Sequence, residues 1–502
     1  MIKSAAAYHL ATNHDRNQMQ GHFLDWQNQP TLYKKYSGIE PIALEAEDDF
    51  PEMSLWDLPD EGLPHDPPPV LDLALLSKIL FLTCTFTSQS RRGGDIFYYR
   101  SNASAGALYP NEIYLTADDI QGLENGFYHY GLKERVLIPL RKGDLSSPVR
   151  DAVGYTGQKR LRASFWITGI FFRSAWKYRA RAFRYALLDA GHVLQNLISA
   201  LKRFRFVFDV SYDFDDEKTG HLIGIDRRRE ACLAAVHLRG NQTAKRKNGA
   251  QTERLAQEHI EASRVSTQEV VYPEIEEAYL SGQTDWKTFE PVSTRQNAFG
   301  LNPTVWSRLN LDRPMKKEMS YGQTLIQRRS RRNFIRKSIS GARFDRLLDL
   351  VIKASVQDRP KRLEQVASRS LGFLCQDIAG LKSGIYLLDT NQQEIGLVSA
   401  GRYLGEMARV CLGQEWLRNA AVHFVFLTDI EGLDNTLGPR GYRYAMLDAG
   451  RIGQAIYLGA TALGLGCCGV GAFYDEEARR LLDLSKNAFM LYLVAAGRVK
   501  EF

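Results

Sequence analysis

An arginine-rich segment of this 502-residue chain has the composition of a phosphate-binding site. The run I-Q-R-R-S-R-R-N-F, residues 326–334, places four arginines and one serine within five positions. Guanidinium groups bind phosphate oxygens in pairs and a serine hydroxyl donates one further bond, so these residue types suit a phosphate group. A basic surface exposed to solvent has the same composition, and this alternative stays open on the motif alone.

Two further segments are rich in small residues that let a ligand approach the backbone. S-N-A-S-A-G-A-L-Y-P-N-E-I-Y-L, residues 101–115, leads through Pro110 into a predicted strand, and a plain turn is the alternative. G-L-G-C-C-G-V-G-A-F, residues 464–473, has enough glycine to expose backbone N–H groups. Its G-x-G-x-x-G match follows a helical pattern rather than a strand, so it does not predict a dinucleotide site. The adjacent Cys467 and Cys468 fit small buried residues better than a redox pair.

A Lys-Tyr pair is the candidate for proton transfer. Lys177 and Tyr178 lie in the arginine-rich run K-Y-R-A-R-A-F-R. A lysine among other positive charges can have a lowered pKa, which would let it exchange protons near neutral pH. An exposed Lys-Tyr pair without function is the alternative.

These segments belong to a duplicated chain. R-A-F-R-Y-A-L-L-D-A-G at residues 181–191 returns as R-G-Y-R-Y-A-M-L-D-A-G at residues 440–450, with eight of eleven positions identical. A second block, D-I-Q-G-L-E-N-G-F-Y, also returns in the same order. A period near 259 residues is too long for a solenoid repeat and indicates two copies of a domain. Apolar runs at 112–116, 165–172 and 422–427 predict strands, and the repeated block predicts a helix.

The duplication gives four predicted regions in an α+β protein. They are a lead-in at 1–70, a first domain at 71–240, a polar linker at 241–315 and a second domain at 316–502. Hydrophobic content is 44% and the net charge is +7, which is ordinary for a globular protein. Six cysteines without metal-ligand spacing, and no signal peptide or apolar span, indicate a reduced, cytoplasmic protein without zinc or membrane contact. A nucleic-acid binder is disfavoured because the arginine clusters fit phosphate motifs.

Together the motifs resemble the nitroreductase superfamily, in its SagB-type dehydrogenase branch. R-R-S-R-R-N-F resembles the flavin-phosphate motif, and S-A-G-A-L-Y-P-N-E-I-Y, K-Y and Y-H-L-A-T-N-H resemble segments of that branch. The resemblance implies an α+β fold built as an intertwined dimer with FMN at the interface. Here the two fused copies would form an intramolecular pseudo-dimer, and the chain could act as a monomer. The cofactor-binding residues that the resemblance implies are Arg328, Arg329, Ser330, Arg332, Ser104, Ala105, Gly106, Gly469, Val470, Gly471 and Arg498.

The motifs are split between the copies. The second copy has the arginine and glycine motifs, whereas the first has the S-A-G loop and Lys177-Tyr178. We therefore expect one complete FMN site per chain. The resemblance implies dehydrogenation of thiazoline, oxazoline or related C–N substrates in peptides or small molecules. Lys177 or Tyr178 would remove a proton, and hydride would pass to N5 of FMN. A pyridine-nucleotide-dependent nitro or quinone reductase and a non-catalytic flavin-binding partner of a biosynthetic complex are the alternatives.

Overall fold

The computed structural model describes residues 2–19, 21–45, 52–60, 69–92, 94–243, 255–283, 299–311, 318–360, 363 and 369–500. The predicted loop at 245–251 and most of the proline run at 65–69 lie outside these ranges. No helix in the described ranges combines the length and the apolar character that a membrane span requires.

Two seven-stranded antiparallel sheets form the centres of the two halves. The described strands are β1 Ile42–Ala43, β2 Phe86–Arg92, β3 Asp95–Arg100, β4 Asn111–Ala117, β5 Gly126–Gly131, β6 Val136–Lys142, β7 Lys159–Ile170, β8 Phe208–Ser211, β9 Glu230–Thr243, β10 Val305–Arg308, β11 Arg369–Cys375, β12 Gly384–Asp389, β13 Glu394–Ala400, β14 Val422–Asp429, β15 Gly466–Val470 and β16 Ala488–Gly497. The sheet orders are β1-β6-β5-β4-β7-β9-β8 and β10-β13-β12-β11-β14-β16-β15, while β2 and β3 form a separate hairpin. Because the two orders match position by position, the α+β fold and its duplication are confirmed.

Helices cover the sheets and fill the space between the halves. The described α-helices are α1 Ala5–Ala11, α2 Leu73–Thr83, α3 Ser146–Ala152, α4 Phe171–Tyr178, α5 Ala182–Arg203, α6 Asp216–Ile223, α7 Gln257–Glu261, α8 Pro273–Ser281, α9 Tyr321–Gln327, α10 Gly341–Val356, α11 Leu404–Val410, α12 Ile430–Leu437, α13 Gly441–Ala462 and α14 Asp475–Leu481. The strand predicted at 165–172 is wrong at its end, since Phe171 begins α4. A short apolar run does not distinguish a strand from a buried helix.

The repeated segments form the two long helices, α5 and α13, which cross at their glycines. A Cβ added to Gly191 would meet the carbonyl oxygen of Leu447 and lie 2.8 Å from the Cα of Gly450. A Cβ added to Gly450 would in turn meet the carbonyl oxygen of Leu188. The two backbones therefore touch, which only glycine permits at these positions.

Arginines of each repeated segment bind an aspartate of the opposite half. At the start of α5, Arg181 and Arg184 donate to Asp475 at 2.8 and 2.9 Å. Burial alone would raise the pKa of Asp475, but the two guanidinium groups outweigh it and hold the pKa well below its usual range. These three side chains are almost completely buried, so the ion cluster fixes the first half against the second.

The second copy repeats this cluster in the opposite direction. Arg440 and Arg443 donate to Asp216 of the first half at 2.7 and 2.8 Å. Arg443 also donates to the carbonyl of Tyr279 on α8 at 2.8 Å, as Arg184 does to the carbonyl of His9 on α1 at 2.5 Å. The repeated segment was therefore retained in both copies because each one clamps the other.

The regions predicted as lead-in and linker both contribute packed elements. Helix α1 begins after the capping Ser4, and Tyr8 is buried on it. Within the predicted linker, α8 buries Tyr279 and β10 joins the edge of the second sheet. Strand β1 likewise joins the first sheet. The sequence pattern missed these elements because they are short and complete the core only through long-range contacts; the four domain boundaries remain a prediction.

Candidate functional site

Arg328 connects the two halves at the candidate site. It follows α9 and is 3% exposed. Its Nε donates to the carbonyl oxygen of Ser101 at 2.5 Å and its Nη2 to that of Arg100 at 2.9 Å, both in the first half. Its Nη1 is buried and has no hydrogen-bond partner among the described residues. Two of the three nitrogens therefore hold the first-half loop, a contact that the motif alone did not predict, and the third remains for a ligand.

Arg328 and Arg329 place two positive charges close together at this site. Burial, followed by the charges of Arg328 and Arg331, lowers the pKa of Arg329 to about 10. Arg329 donates to the carbonyls of Ile326 and Thr87. No carboxylate among the described residues pairs with Arg328 or Arg329. An uncompensated group of positive charges with free donors is suited to an anion.

Ser330 lies exposed beside this cluster and contacts a tyrosine that the sequence analysis missed. Its hydroxyl is 3.0 Å from the Tyr457 hydroxyl, and either oxygen can donate. The N–H of Gly469 also donates to Tyr457, at 2.6 Å. The first copy has Ile198 at the position of Tyr457. This difference between the two copies is a signal that could have identified Tyr457.

The glycine motif is an edge strand rather than a loop of free N–H groups. Gly469 lies within β15, and a Cβ there would meet the Tyr492 hydroxyl. A Cβ on Gly471 would lie 2.6 Å from the ring of Tyr185, whose hydroxyl donates to the Gly471 carbonyl at 3.3 Å. The side chain of Val470 is buried in the second-half core. These glycines admit aromatic rings close to the strand, and the Gly469 N–H is bound by the Tyr457 hydroxyl.

Both cysteines of this strand are buried and unpaired, as are the other four in the chain. Burial raises the pKa of the Cys467 and Cys468 thiols. They are therefore protonated packing residues, which agrees with the sequence interpretation. No group of three metal-ligating side chains occurs within the described ranges.

The S-A-G loop of the first half is held by an aspartate of the repeated segment. Ser104 donates its hydroxyl to Asp189 at 2.5 Å, and the Ala105 N–H lies 3.2 Å from both carboxylate oxygens. Gly106 has a φ of +64°. A Cβ on Gly106 would lie 2.7 Å from the Tyr178 hydroxyl and 3.4 Å from Lys177 Nζ. The structure therefore brings the loop and the Lys-Tyr pair together, and it adds Asp189, which sequence reasoning had treated as scaffold.

Lys177 and Tyr178 end helix α4, and both are partly buried. Lys177 Nζ lies 5.4 Å from the centre of the Tyr178 ring, which packs 4.4 Å from the ring of Tyr185. Burial, then Tyr185 and Asp189, raises the pKa of Tyr178, while Arg332 of the second half lowers it. Tyr178 is therefore a protonated hydrogen-bond donor, and Lys177 is the better candidate base of the two.

Arg332 and Arg498 complete the set of predicted residues. Arg332 is exposed, and its charge also lowers the pKa of Cys468, so it lies between β15 and the first-half Tyr178. Arg498 follows β16, and its Nε is buried without a partner among the described residues. Burial, then Arg498, lowers the pKa of Arg343. A second uncompensated basic group therefore lies near the arginine motif.

The position related to this site by the duplication differs from it in several chemical groups. Arg451 and Asp448 form an ion pair of 2.8 Å there, and Arg451 is completely buried. Arg239 stands where the other site has Arg498, and it pairs with Asp209. Five other counterparts are apolar or neutral. Thr436, Leu437, Ile198, Phe208 and Val210 stand where the other site has Lys177, Tyr178, Tyr457, Cys467 and Gly469.

Comparison with known proteins agrees with this architecture. A crystal structure of a candidate nitroreductase from Anabaena variabilis superposes on 99% of this chain and 100% of its own, with a TM-score of 0.80 and 23% identity. This match gives the whole chain a nitroreductase-like fold. Residues 325–498 match the sequence model of the nitroreductase family. The second half thus matches the nitroreductase family, whose members are usually FMN-dependent oxidoreductases, and the whole chain shares a nitroreductase-like fold.

Two named relatives match parts of the chain. The candidate nitroreductase MJ1384 of Methanocaldococcus jannaschii is 32% identical over 126 residues, which are 25% of this chain and 63% of that protein. The microcin B17-processing protein McbC of Escherichia coli is 26% identical over 140 residues, or 27% of this chain and 52% of McbC. The chain matches less than two thirds of the length of either relative, and McbC is a distant homologue.

Proposed function

We propose that this chain is an FMN-dependent dehydrogenase with a single flavin site at its internal pseudo-dimer interface. One observation carries the proposal. Arg328 of the second half, which no described carboxylate neutralises, holds the first-half segment that leads into the S-A-G loop, and this loop lies beside Lys177 and Tyr178. At the duplicated position the sequence has Thr436 and Leu437 in place of the Lys-Tyr pair.

The residues present fit the phosphate and ribityl chain of FMN. Arg328 Nη1 and Arg498 Nε are buried donors without partners among the described residues. The Ser330 hydroxyl is exposed beside them. Buried donors normally find an acceptor, and a dianionic phosphate supplies several. Arg328, Ser330, Arg332 and Arg498 would therefore hold the phosphate and ribityl groups. Gly106 and Gly471 would leave space for a flat ring.

Removing one of these donors should weaken FMN binding without unfolding the protein. We expect Arg498→Met to raise the Kd for FMN about 10–100-fold, because a hydrogen bond to a charged group contributes about 1.5–3 kcal/mol. The melting temperature of the FMN-free protein should stay level or rise, because an uncompensated charge is lost. Fluorescence titration and thermal denaturation measure the two quantities. Arg228→Met, on an exposed side chain that lies 4.0 Å from Glu276, is the matched control. An unchanged Kd in Arg498→Met would refute the assignment.

The chain's own residues supply proton transfer and orientation. When bound, FMN supplies the acceptor for the two electrons and one hydrogen that leave the substrate. Lys177 accepts the proton from the substrate C–H, and the protonated Tyr178 donates a hydrogen bond that orients the substrate nitrogen. The loop around Gly106 holds the substrate close to both groups.

We infer a thiazoline- or oxazoline-type ring, or a related C–N bond, as the substrate. The motifs S-A-G-A-L-Y-P and Lys177-Tyr178 support this class, as does the homology to McbC, a protein named for processing microcin B17. The test is incubation of the FMN-loaded protein with short thiazoline and oxazoline peptides in air. Loss of two hydrogens, a mass decrease of about 2 Da, is expected. Full conversion by Lys177→Met protein would reject this chemistry at this site.

A pyridine-nucleotide-dependent reductase is the second candidate. It is favoured by the similarity to MJ1384, which is described as a nitroreductase. Anaerobic mixing with NADPH distinguishes the two functions. Rapid bleaching of the flavin spectrum without any azoline substrate would favour the reductase, whereas bleaching only by an azoline peptide would favour the dehydrogenase.

A further inference from the structure

Asp189 and Asp448 occupy equivalent positions of the repeated segment but bind different partners. Asp189 accepts the Ser104 hydroxyl at 2.5 Å and the Ala105 N–H at 3.2 Å. Asp448 instead accepts from Arg451 Nη2 at 2.8 Å and Nε at 3.1 Å. Both aspartates are buried. The aspartate therefore binds the S-A-G loop in the first copy and an arginine in the second.

The difference follows from one position on the same helix face. Three residues after Asp189 the first copy has His192, whereas three residues after Asp448 the second copy has Arg451. His192 forms hydrogen bonds with Gln454 and Tyr492, at 2.7 and 3.1 Å. Burial lowers the pKa of His192 to about 4, so it is neutral and leaves Asp189 without a cation.

The groups that face Asp189 come from three elements. Ser104 and Ala105 belong to the loop, Tyr178 to α4 and Tyr492 to β16. Asp189 raises the pKa of Tyr178 and of Tyr492, which places its charge close to both. Asp189 has no ion pair among the described residues. Its hydrogen-bonding capacity is therefore directed at the loop that carries Gly106, beside the Tyr178 hydroxyl.

We propose that Asp189 is the positioning residue of the flavin site and that Arg451 has disabled its counterpart at the duplicated position. This inference rests on the proposed function. Asp189 acts through Ser104 and Ala105, which fix the loop against the ligand. Its carboxylate is suited to this because its two oxygens can accept the hydroxyl and the N–H at the same time.

Asn substitutions at the two equivalent aspartates test the proposal. An asparagine removes the acceptor charge and replaces one oxygen with an NH2 donor, so Asp189→Asn holds Ser104 and Ala105 more weakly. We expect it to raise the Kd for FMN about tenfold, to shift the visible flavin absorption band and to lower kcat at least tenfold with little change in KM. Ser104→Ala should give the same spectral shift. Asp448→Asn, the matched control, should lower the melting temperature by leaving Arg451 unpaired but keep the FMN Kd and spectrum.

The outcomes separate this inference from the proposed function. If the wild-type chain binds FMN and Asp189→Asn binds it with the same Kd and spectrum, the positioning role is overturned while the function stands. If the wild-type chain binds no FMN, both are overturned. Equal effects of Asp189→Asn and Asp448→Asn on FMN binding would also overturn the proposal, because the two positions would then be merely structural.

A pH series gives a readout that does not require flavin. Burial raises the pKa of Asp189 from 3.8 to about 7, so the folded protein holds a proton that the unfolded chain releases. The wild-type protein should therefore lose stability relative to Asp189→Asn as the pH rises from about 4 to 7. A difference in melting temperature that stays constant over this range would contradict the buried position and cation-free surroundings of Asp189.

Discussion

Lys177→Met should retain its FMN and lose at least about 100-fold of its turnover of an azoline substrate. A positioned general base contributes about 10²–10⁴-fold to a rate, and methionine preserves the length of the side chain without the amine. Lys177 lies on the first half, whereas the proposed phosphate-binding arginines lie on the second. The substitution should therefore impair proton transfer without impairing flavin binding. Single-turnover kinetics on FMN-loaded protein measure the loss directly.

Two comparisons make this result interpretable. Lys218→Met removes an exposed lysine that pairs with Asp151 on the surface, and it should leave turnover unchanged. Tyr178→Phe should lose less than Lys177→Met, because Tyr178 donates a hydrogen bond rather than accepting the proton. If Lys177→Met turned over substrate at the wild-type rate, the base would have to lie elsewhere.

Asp475→Asn should destabilise the protein by about 3–5 kcal/mol, because it leaves Arg181 and Arg184 buried with reduced compensation. The loss should appear as a lower unfolding midpoint in denaturant and a lower melting temperature. Since this ion cluster joins the two halves, the affinity for FMN should fall together with the stability. No comparable loss is expected for Glu477→Gln, whose carboxylate pairs with the half-exposed Arg16.

The reciprocal cluster supplies the matched variant. Asp216→Asn leaves Arg440 and Arg443 buried with reduced compensation, and it should lower the stability of the protein by a similar amount. The pKa of Asp475 is held low in the folded protein, so its contribution is complete above about pH 4 and is lost on further acidification. An Asp475→Asn protein with wild-type stability at pH 7 would show that the ion cluster does not join the halves.

Much of the fold could be predicted from the sequence because the duplication is preserved where the copies touch. Gly191, Gly450 and the clamp arginines all lie in the repeated segment, and its spacing predicted a helix that the structure confirms. The boundary at Phe171 could not be predicted, because an apolar run serves a buried strand and a buried helix equally. Helix α8 has no repeated motif and is held by long-range contacts, among them those of Tyr279 with Arg443 and Phe171.

The candidate site was predictable in its residue types but not in its contacts. The motifs named Arg328 and Ser104, yet Arg328 binds carbonyls of the opposite half and Ser104 binds Asp189, 85 positions away in sequence. Such contacts depend on how the chain folds back, which local spacing does not encode. Asp189 was hidden for a further reason. It is identical in both copies, so comparing the copies showed no difference at that position, and only its neighbour three residues later distinguishes them.

A non-catalytic flavin-binding partner would share the fold and the phosphate cluster. It would have no need for a Lys-Tyr pair beside Gly106 or for a loop tied to a buried carboxylate. The site has both, and they face the second-half strand β15. These contacts favour an enzyme, and the Lys177→Met experiment decides between the two.

The number of FMN molecules bound per chain tests the single interface site most directly. The protein is saturated with FMN, freed of unbound flavin by gel filtration and analysed for flavin absorbance and for protein by amino-acid analysis. We expect one FMN per chain, because Asp448 is paired with Arg451 at the duplicated position and Thr436 and Leu437 replace the Lys-Tyr pair there. Two FMN per chain, or none, would contradict a single site assembled from the two unlike halves.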